Sequence, residues 1–265
     1  MRISGNVFLV TGGGNGIGRE VVLALRARGA RVAAVDLSLD GLSETARLVG
    51  EDVRLTTHVP DVTDWDAVER VVADVVAAHG QLDGVLNVAG IIQPFVPVKD
   101  LERAVFEKVM AVNFWGVVNV TTAALPVLLT RPAASITNIS SMGSFAAVPG
   151  QTAYGASKAA VTQFTAGLWA ELRDTPVEVT VVMPGGVSTG IATHSGAERP
   201  GQDASDSPVD LTTPAEAARQ IVAGTEKGSY RVVIGKDARL LDVLSRAMPR
   251  RANQFLARRM SSLLD

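Results

Sequence analysis

The stretch NVFLVTGGGNGIG, residues 6–18, joins an apolar run to a cluster of glycines. The run has the composition of a buried β-strand, and helical periodicity begins near Ile17 or Arg19. Glycines at a strand-to-helix turn let the backbone bend sharply and approach a pyrophosphate, while the helix N-terminus supplies amide donors. The stretch therefore predicts a nucleotide site, with a plain tight turn as the alternative.

Short β-rich runs alternate with helical segments along the chain. The runs are NVFLVT (6–11), RVAAVD (31–36), DVRLTTHV (52–59), DGVLNVAG (83–90), ASITNISS (134–141), VEVTVVMP (177–184) and YRVVIG (230–235). This alternation predicts parallel strands joined by crossover helices. The runs are almost continuously apolar, as expected when helices cover both faces of a sheet. The predicted fold is a single-domain α/β protein with a doubly wound parallel sheet.

The composition is that of an ordinary globular protein, with 47% hydrophobic and 20% charged residues. A net charge of −2 gives no reason to expect a nucleic-acid partner. The absence of cysteine excludes disulfides and thiol chemistry. The first residues hold too short an apolar run for a signal peptide or a membrane span. We therefore expect a cytoplasmic protein.

No internal repeat and no Pro-, Gly- or Ser-rich linker divides the chain, so residues 1–265 are interpreted as one domain. Two segments depart from the alternation. Residues 186–212 form a polar loop of a length typical of functional lids, and we interpret it as a substrate loop. Residues 237–265 form an arginine-rich amphipathic tail interrupted by Pro249. Apolar residues near helical spacing in this tail are Phe255, Leu256, Met260, Leu263 and Leu264.

The second predicted strand ends in Asp36, twenty positions after Gly16. An acidic residue at that distance accepts hydrogen bonds from an adenosine ribose and repels a 2′-phosphate. Positions 15 and 37 hold asparagine and leucine, neither of which could bind a phosphate as arginine does. The pattern predicts NAD rather than NADP, with a solvated strand-end carboxylate or a helix cap as the alternative.

The segment AYGASKAA, residues 153–160, holds one of two tyrosines and one of five lysines in the chain. Tyr154 and Lys158 are four residues apart, so on a helix their side chains lie on the same side, one turn apart. Standing alone, such a pair is more often part of an amphipathic helix than a catalytic pair.

Several motifs, in one order from about residue 6 to residue 235, resemble the classical short-chain dehydrogenase/reductase family. They are TGGGNGIG for the family's TGxxxGxG, Asp61–Val62 for its adenine contact, NVAG (87–90) for its NNAG, Asn113 in VNFWG for its helix asparagine, NISS with YGASK for its serine and YxxxK, and PGGVST (184–189) for its PGxVxT nicotinamide loop. The resemblance implies a Rossmann-like fold and an NAD-binding catalytic domain. It also implies hydride transfer between nicotinamide and a secondary alcohol or ketone.

The resemblance assigns both a catalytic and a cofactor-binding set. The catalytic set is Asn113, Ser141, Tyr154 and Lys158. Ser141 is chosen over Ser140 because the family's serine precedes its tyrosine by thirteen positions. The cofactor-binding set is Thr11, Gly12, Asn15, Gly16, Ile17, Gly18, Asp36, Leu37, Asp61, Val62, Asn87, Ala89, Gly90, Tyr154, Lys158, Pro184, Gly185, Val187 and Thr189.

No metal is expected, because Tyr154 fills the role that a metal would have. The three histidines, His58, His79 and His194, show no metal-ligand spacing. We interpret the first two as structural or surface residues. His194 lies in the predicted substrate loop, where a contact with substrate is an open alternative.

The resemblance implies that Tyr154 transfers the proton, that Lys158 lowers its pKa and binds the nicotinamide ribose, and that Ser141 polarises the substrate oxygen. Asn113 would hold a water that links Lys158 to solvent. Lowering a tyrosine pKa from about 10 to about 7 requires about 4 kcal/mol. A charge about 4 Å away at an effective dielectric constant of about 20 supplies about that much before desolvation opposes it. We therefore expect a Tyr154 pKa near neutral.

One departure from the family is Val88, which replaces the second asparagine of NNAG, a residue whose hydrogen bond supports the central sheet. The leading function is an NAD-dependent oxidoreductase for an apolar substrate, because Ile92, Phe95, Met142 and Phe145 flank the predicted site. One alternative is a nucleotide-binding regulatory or scaffolding protein without catalysis. Another is an NADP-dependent ketoacyl reductase, against which Asp36 argues.

The resemblance also implies a homotetramer or homodimer, assembled through helices around residues 102–130 and 152–174. We expect the tail to pack over the active-site mouth or on a partner subunit. Contact with an anionic membrane surface is the less favoured alternative, because basic amphipathic helices bind such surfaces.

Overall fold

A computed structural model describes residues 1–50, 52–197 and 211–259. Its strands form one parallel seven-stranded sheet in the order β3-β2-β1-β4-β5-β6-β7. The strands are β1 (Val7–Thr11), β2 (Arg31–Val35), β3 (Leu55–His58), β4 (Gly84–Asn87), β5 (Ala134–Ile139), β6 (Val177–Pro184) and β7 (Arg231–Ile234). Each of the seven predicted runs contains one of these strands, so the strand prediction is confirmed.

Helices connect the strands and continue beyond the last of them. They are α1 (Gly16–Ala27), α2 (Leu39–Val49), α3 (Trp65–His79), α4 (Arg103–Met110), α5 (Gly116–Leu128), α6 (Thr152–Leu172), α7 (Ile191–His194), α8 (Pro214–Lys227), α9 (Lys236–Ala247) and α10 (Pro249–Arg259). The first helix begins at Gly16, just before the predicted start. Pro249 separates α9 from α10, as predicted for the tail.

Alternate residues of the central strand β1 pack into two separate hydrophobic cores, one on each face of the sheet. Val7 and Leu9 pack with residues of α3, α5 and α6 on one face of the sheet. Phe8 and Val10 pack with residues of α1, α2 and α8 on the other face. Because both faces are covered, every residue of β1 is buried, which explains the uninterrupted apolar run. The predicted doubly wound sheet is confirmed.

The strand order reverses direction at β1, which lies between β2 and β4. In open parallel sheets, ligands bind in the crevice beyond the carboxyl ends of the strands at such a switch point. The glycine run that follows Thr11 and the Asp36 that follows β2 both lie at this edge. The topology therefore places the predicted nucleotide residues where a doubly wound sheet holds ligands.

A π-helical turn, Ala111–Trp115, joins α4 to α5 and contains the fully buried Asn113. Wide turns of this kind often occur at functional sites. The continuous stretch Arg103–Leu128 is long and apolar enough to span a membrane by composition alone. Core helices of soluble proteins have the same property, and α5 buries Val120, Ala124 and Leu128 in the core that it shares with the sheet.

The substitution at Val88 leaves the centre of the sheet well connected. The Asn87 Nδ2 donates to Asn138 Oδ1 on the neighbouring strand at 2.8 Å. The Thr11 hydroxyl accepts from the backbone N–H groups of Val88 and Ala89 at 3.0 and 3.1 Å. The side chain of Val88 itself packs against the apolar core. Asn87 and Thr11 thus connect β4 to β5 and to β1, while the Asn87 Oδ1 is buried without a hydrogen-bond partner among the described residues.

Candidate active site

The glycine run makes backbone contacts that side chains would block. Gly12 has a φ of +72°, and a Cβ there would lie 2.9 Å from the Ala89 backbone nitrogen. A Cβ on Gly18 would lie 1.9 Å from the Gly12 carbonyl oxygen, so α1 packs directly on the turn. The resulting cradle ends at the N-terminus of α1, where free amide donors favour an anion. These residues fit a bound pyrophosphate.

Asp36 organises the glycine loop as well as facing the cavity. Its two carboxylate oxygens accept from the backbone N–H groups of Gly14 and Ser38, both at 2.9 Å. Each oxygen keeps a further lone pair for a ribose hydroxyl. The neighbouring Leu37 is 63% exposed and carries no charge. The Arg19 guanidinium donates to the carbonyls of Gly14 and Gly41, behind the cavity wall, so Asp36 is an acidic side chain that faces this end of the cavity.

One cavity of about 410 Å³ runs from Asp36 to Tyr154. Its walls hold nearly the whole predicted cofactor set, namely Gly12, Asn15, Gly16, Ile17, Gly18, Asp36, Leu37, Asp61, Val62, Ala89, Gly90, Tyr154, Lys158, Pro184, Gly185, Val187 and Thr189. Thr11 and Asn87 are buried behind the wall, where their side chains hold backbone and neighbouring strands. Their side chains thus support the wall, and their assignment to the cofactor-binding set stays a prediction.

The two adjacent serines that follow β5 have different partners. The Ser140 hydroxyl is buried, donates to the Lys158 carbonyl at 2.8 Å and lies 2.8 Å from the Thr162 hydroxyl. The Ser141 Oγ accepts from the Gly143 N–H at 3.0 Å and forms a hydrogen bond with the Tyr154 hydroxyl. Ser141, the predicted serine, is thus the one that contacts the tyrosine.

Lys158 lies on α6 with its side chain almost fully buried. Its ammonium donates to the Ile139 carbonyl at 2.9 Å and lies 5.9 Å from the centre of the Tyr154 ring. Burial lowers the pKa of Lys158 from its ordinary 10.5 to about 8. A Cβ on Gly90 would lie 3.2 Å from both Lys158 Nζ and Asn113 Oδ1, so this glycine leaves room for the two groups.

The prediction that Lys158 lowers the pKa of Tyr154 to near neutral is wrong for the protein by itself. Burial raises the pKa of the Tyr154 phenol above its ordinary value of 10.0, and the hydrogen bond from Ser141 opposes that rise only in part. The Lys158 ammonium is directed at the Ile139 carbonyl rather than at the phenol oxygen. Desolvation of the phenolate therefore outweighs the favourable interactions, and the tyrosine is protonated at neutral pH.

Asn113 lies behind the cavity wall rather than in it. Its Oδ1 accepts from the Ile91 N–H at 2.8 Å, and its Nδ2 donates to the Ile91 carbonyl and the Ser157 hydroxyl, each at 2.9 Å. Ser157 in turn donates to the Tyr154 carbonyl at 2.7 Å. Asn113 is thus linked to the tyrosine through one serine, and its predicted role in holding a water stays a prediction.

Apolar side chains line the cavity around Tyr154, but they differ from those predicted. They are Ile91, Val112, Val187 and Ile191, with His194 and Ser195 beside them. The four residues of the prediction, Ile92, Phe95, Met142 and Phe145, are not among the described lining residues. Met142 and Phe145 instead pack against a small cluster formed by Ala146, Leu241 and Leu256. The sequence shows which residues are close to the site residues along the chain, but not which of them line the cavity.

The substrate loop and the tail contact the site at several points. Val187 pairs with Thr212 in an isolated parallel bridge that closes the base of the 186–212 loop. Residues 198–210 of that loop lie outside the described residues, as do Met260, Leu263 and Leu264 of the tail. Leu256 of α10 packs in one cluster with Met142 and Phe145, which follow Ser141 in sequence, and the packing of the tail over the active-site mouth stays a prediction.

Asp237, at the start of α9, holds the predicted nicotinamide loop. Its Oδ2 accepts from the Gly186 N–H at 2.8 Å. A Cβ on Gly185 would lie 2.3 Å from its Oδ1, so the close approach requires glycine. Sequence reasoning missed this contact, although the doubled glycine in PGGVST and an acidic residue in the first turn of a helix were visible signals.

The three histidines have no metal-ligand group around them in the part of the chain that is described. The rings of His58 and His79 each lie 3.0 Å from the Thr56 hydroxyl, and burial lowers the pKa of both. His194 lines the cavity beside Ile191. No group of three His, Cys, Asp or Glu residues among the described residues could hold a metal ion.

The family model for short chain dehydrogenases matches residues 6–200. The chain belongs to the short-chain dehydrogenase family. It is therefore an NAD(P)-dependent oxidoreductase that acts on CH–OH groups.

Individual relatives support the same family. SadH of Mycobacterium tuberculosis is 40% identical over 258 residues, which cover 92% of this chain and 91% of SadH. The 3-oxoacyl-[acyl-carrier-protein] reductase FabG of Thermotoga maritima is 36% identical, over 71% of this chain and 77% of its own. Two solved short-chain dehydrogenases match over the whole fold. One, from Mycobacterium paratuberculosis and bound to NAD, has a TM-score of 0.77 and 28% identity, covering 88% of this chain and 97% of its own. The other, from Burkholderia cenocepacia in complex with NADP, has a TM-score of 0.80 and 27% identity, covering 98% and 99%.

Proposed function

We propose that this short-chain dehydrogenase uses NAD to interconvert an apolar secondary alcohol and its ketone. The observation that carries the proposal is the content of one continuous cavity. Asp36 and the glycine cradle lie at one end, and the hydrogen-bonded Ser141 and Tyr154 lie at the other. A protein that only bound a nucleotide would have no chemical need for the Ser141–Tyr154 pair at the second end of the cavity.

The proposed role of each residue in the cavity wall follows from its position along the cavity. The cradle from Gly12 to Gly18 would hold the pyrophosphate, Asp36 the adenosine ribose, and Lys158 the nicotinamide ribose. The bound cofactor supplies hydride transfer. Tyr154 holds the proton that a carbonyl oxygen takes up on reduction, and Ser141 orients that oxygen by a hydrogen bond. Ile91, Val112 and Ile191 exclude water around the reacting carbon and favour an apolar substrate.

A panel of secondary alcohols with NAD, and of the matching ketones with NADH, tests the proposed reaction. Formation or loss of NADH is followed by its near-ultraviolet absorbance. Turnover that increases with the apolar area of the substrate supports the proposal. Binding of NADH without turnover of any member would favour the regulatory or scaffolding alternative. Turnover only of an acyl-carrier thioester with NADPH would favour the ketoacyl reductase alternative.

Cofactor choice should depend on the charge of Asp36. Asp36→Asn keeps one acceptor for the Gly14 N–H but removes the charge, so we expect NADH affinity to fall by about 1–3 kcal/mol. NADPH affinity should rise, because the repulsion of the 2′-phosphate is lost. Calorimetric titration with both cofactors measures the two changes. Asp40→Asn, on the exposed start of α2, is the matched control and should change neither affinity. Equal affinity of the unaltered protein for NADH and NADPH would contradict the proposed role of Asp36.

We propose that the chain forms a dimer or tetramer through the stretch from α4 to α5 and through α6. This stretch exposes Phe106 and Trp115, at 38% and 55%, and α6 exposes Trp169 at 43%. Large aromatic side chains are enriched in protein interfaces. Sedimentation velocity at micromolar concentration should give a species larger than a monomer. Trp115→Glu should shift it toward the monomer, because an unpaired buried charge is costly. Val53→Glu, in an exposed loop, should not shift it. A monomer from the unaltered chain would contradict the proposal.

A further inference from the structure

Gln93 is a fully buried amide between the loop after β4 and the start of α6. Its Oε1 accepts from the backbone N–H groups of Ala153 and Tyr154 at 2.6 and 3.2 Å. Its Nε2 donates to the Gly150 carbonyl at 2.9 Å. The backbone carbonyl of Gln93 accepts from the Gln151 side chain at 2.7 Å. A single side chain thus connects the glycine-bearing loop before α6 to the first turn of that helix.

The contacts of Gln93 replace a cap that α6 lacks. The residue before the helix, Gln151, makes no side-chain hydrogen bond to the first turn. The second and third N–H groups of a helix have no intrahelical partner and usually bind the side chain of the N-cap residue. In α6 these two groups belong to Ala153 and Tyr154, and both bind Gln93. The start of α6 is therefore attached to the loop after β4.

Both peptide groups beside Tyr154 are held in this way. Its N–H donates to Gln93, and its carbonyl accepts from the Ser157 hydroxyl at 2.7 Å. Ser157 accepts from Asn113, which also binds Ile91. Ile91 and Gln93 are two residues apart in the same loop, so one short segment fixes the tyrosine backbone from both sides. The phenol is held at the end of this restrained backbone, against Ser141.

We propose that Gln93 is a positioning residue for Tyr154, and that it keeps the phenol in hydrogen-bonding contact with Ser141 and aimed at the substrate oxygen. The inference rests on the proposed proton-transfer role of Tyr154. Gln93 itself does not line the cavity and contacts no reacting atom. Its effect on the reaction would therefore be transmitted by the backbone of the first turn of α6.

A pair of matched substitutions tests this role by activity. Gln93→Met conserves the volume and removes the acceptor from Ala153 and Tyr154. We expect kcat to fall by about 10–100-fold, because a small misplacement of a reacting group has effects of that size. The KM for the cofactor should change by less than about twofold, since the cradle is far from this contact. Thr180→Val removes a buried hydroxyl from β6 and leaves α6 and the loop after β4 untouched, and its kcat should stay near that of the unaltered enzyme.

A second measurement needs no substrate. The chain has two tyrosines, so in a Tyr230→Phe background the ultraviolet titration of phenol reports Tyr154 alone. Gln93→Met should weaken the contact with Ser141 and thus lower the fraction of ionised phenol at a fixed alkaline pH at which every variant stays folded. Thr180→Val should leave this fraction unchanged.

The outcomes separate the two proposals. If no alcohol is oxidised but the titration changes with Gln93→Met alone, the proposed function fails and the structural coupling of Gln93 to Tyr154 stands. If kcat and the titration are both unchanged in a folded Gln93→Met protein, the positioning role is overturned. Should Gln93→Met not fold, Gln93→Asn takes its place, because it withdraws the acceptor by one methylene without overfilling the core. Gln93→Asn should then lower both kcat and the fraction of ionised phenol. If neither value changes, the positioning role of Gln93 is overturned.

Discussion

Replacement of Tyr154 by phenylalanine is expected to lower turnover by at least about 100-fold, the usual loss when acid–base catalysis is removed. The substitution keeps the ring, which forms part of the cavity wall, and removes only the hydroxyl that contacts Ser141. Cofactor affinity should therefore change by no more than a few-fold. Steady-state kinetics with an accepted alcohol and a separate binding titration with NADH measure the two effects.

The other tyrosine provides the control for this prediction. Tyr230 contacts Trp169 on the surface and outside the cavity, with ring centres 5.0 Å apart and ring planes tilted by 55°, so Tyr230→Phe should keep the activity of the unaltered enzyme. Because burial raises the pKa of Tyr154, alcohol oxidation by the unaltered enzyme should increase with pH from neutral toward about 10. The residual rate of Tyr154→Phe should lack this increase. A Tyr154→Phe enzyme with near-normal turnover would remove the tyrosine from the mechanism.

Lys158→Met should impair both turnover and cofactor binding. The ammonium would bind the nicotinamide ribose, and loss of a charged hydrogen bond costs about 1.5–3 kcal/mol, so NADH affinity should fall by at least about tenfold. Turnover should fall by at least about 100-fold, because the nicotinamide ribose would no longer be held in register with Tyr154. Lys227→Met, on the exposed end of α8, should change neither value. Unchanged NADH affinity in Lys158→Met would exclude the ribose contact.

The same substitution should not destabilise the fold at neutral pH. Burial lowers the Lys158 pKa from 10.5 to about 8, so keeping the buried group protonated at pH 7 costs about 3 kcal/mol. Lys158→Met removes this cost and so raises the free energy of unfolding, but loss of the hydrogen bond to the Ile139 carbonyl offsets part of that increase. The unfolded chain binds this proton more tightly than the folded one does. The unaltered protein should therefore gain stability relative to Lys158→Met as the pH rises from about 8 to about 10.5, which denaturant unfolding at two pH values measures.

Features of the fold that depend on local patterns could be predicted from the sequence. The seven strands follow from short apolar runs between helical segments, and the burial of both faces of β1 explains why these runs do not alternate. The glycine cradle, Asp36 and the choice of Ser141 over Ser140 follow from motifs with fixed spacing. These residues are placed by their immediate neighbours in the chain, so the sequence carries their positions directly.

Features that depend on contacts between distant segments could not be predicted. Gln93 and Asp237 act on α6 and on the nicotinamide loop across 60 and 51 positions of sequence, and no motif marks either residue. Met142 and Phe145 follow Ser141 in sequence but pack toward the tail. The raised pKa of Tyr154 results from desolvation by the whole wall, which a calculation with one neighbouring charge leaves out.

The contact between Asp237 and Gly186 connects the predicted nicotinamide loop to the C-terminal helices. Asp237 lies in the first turn of α9, and Leu241 of the same helix packs beside Leu256 of α10. If the nicotinamide loop is more ordered with cofactor bound, the free energy of that ordering would also stabilise α9. By reciprocity, a ligand or subunit that binds α9 and α10 and tightens this contact would then raise cofactor affinity by the factor by which the cofactor raises its own affinity. On that condition, the outer surface of α9 and α10 would be an effector site for the cofactor.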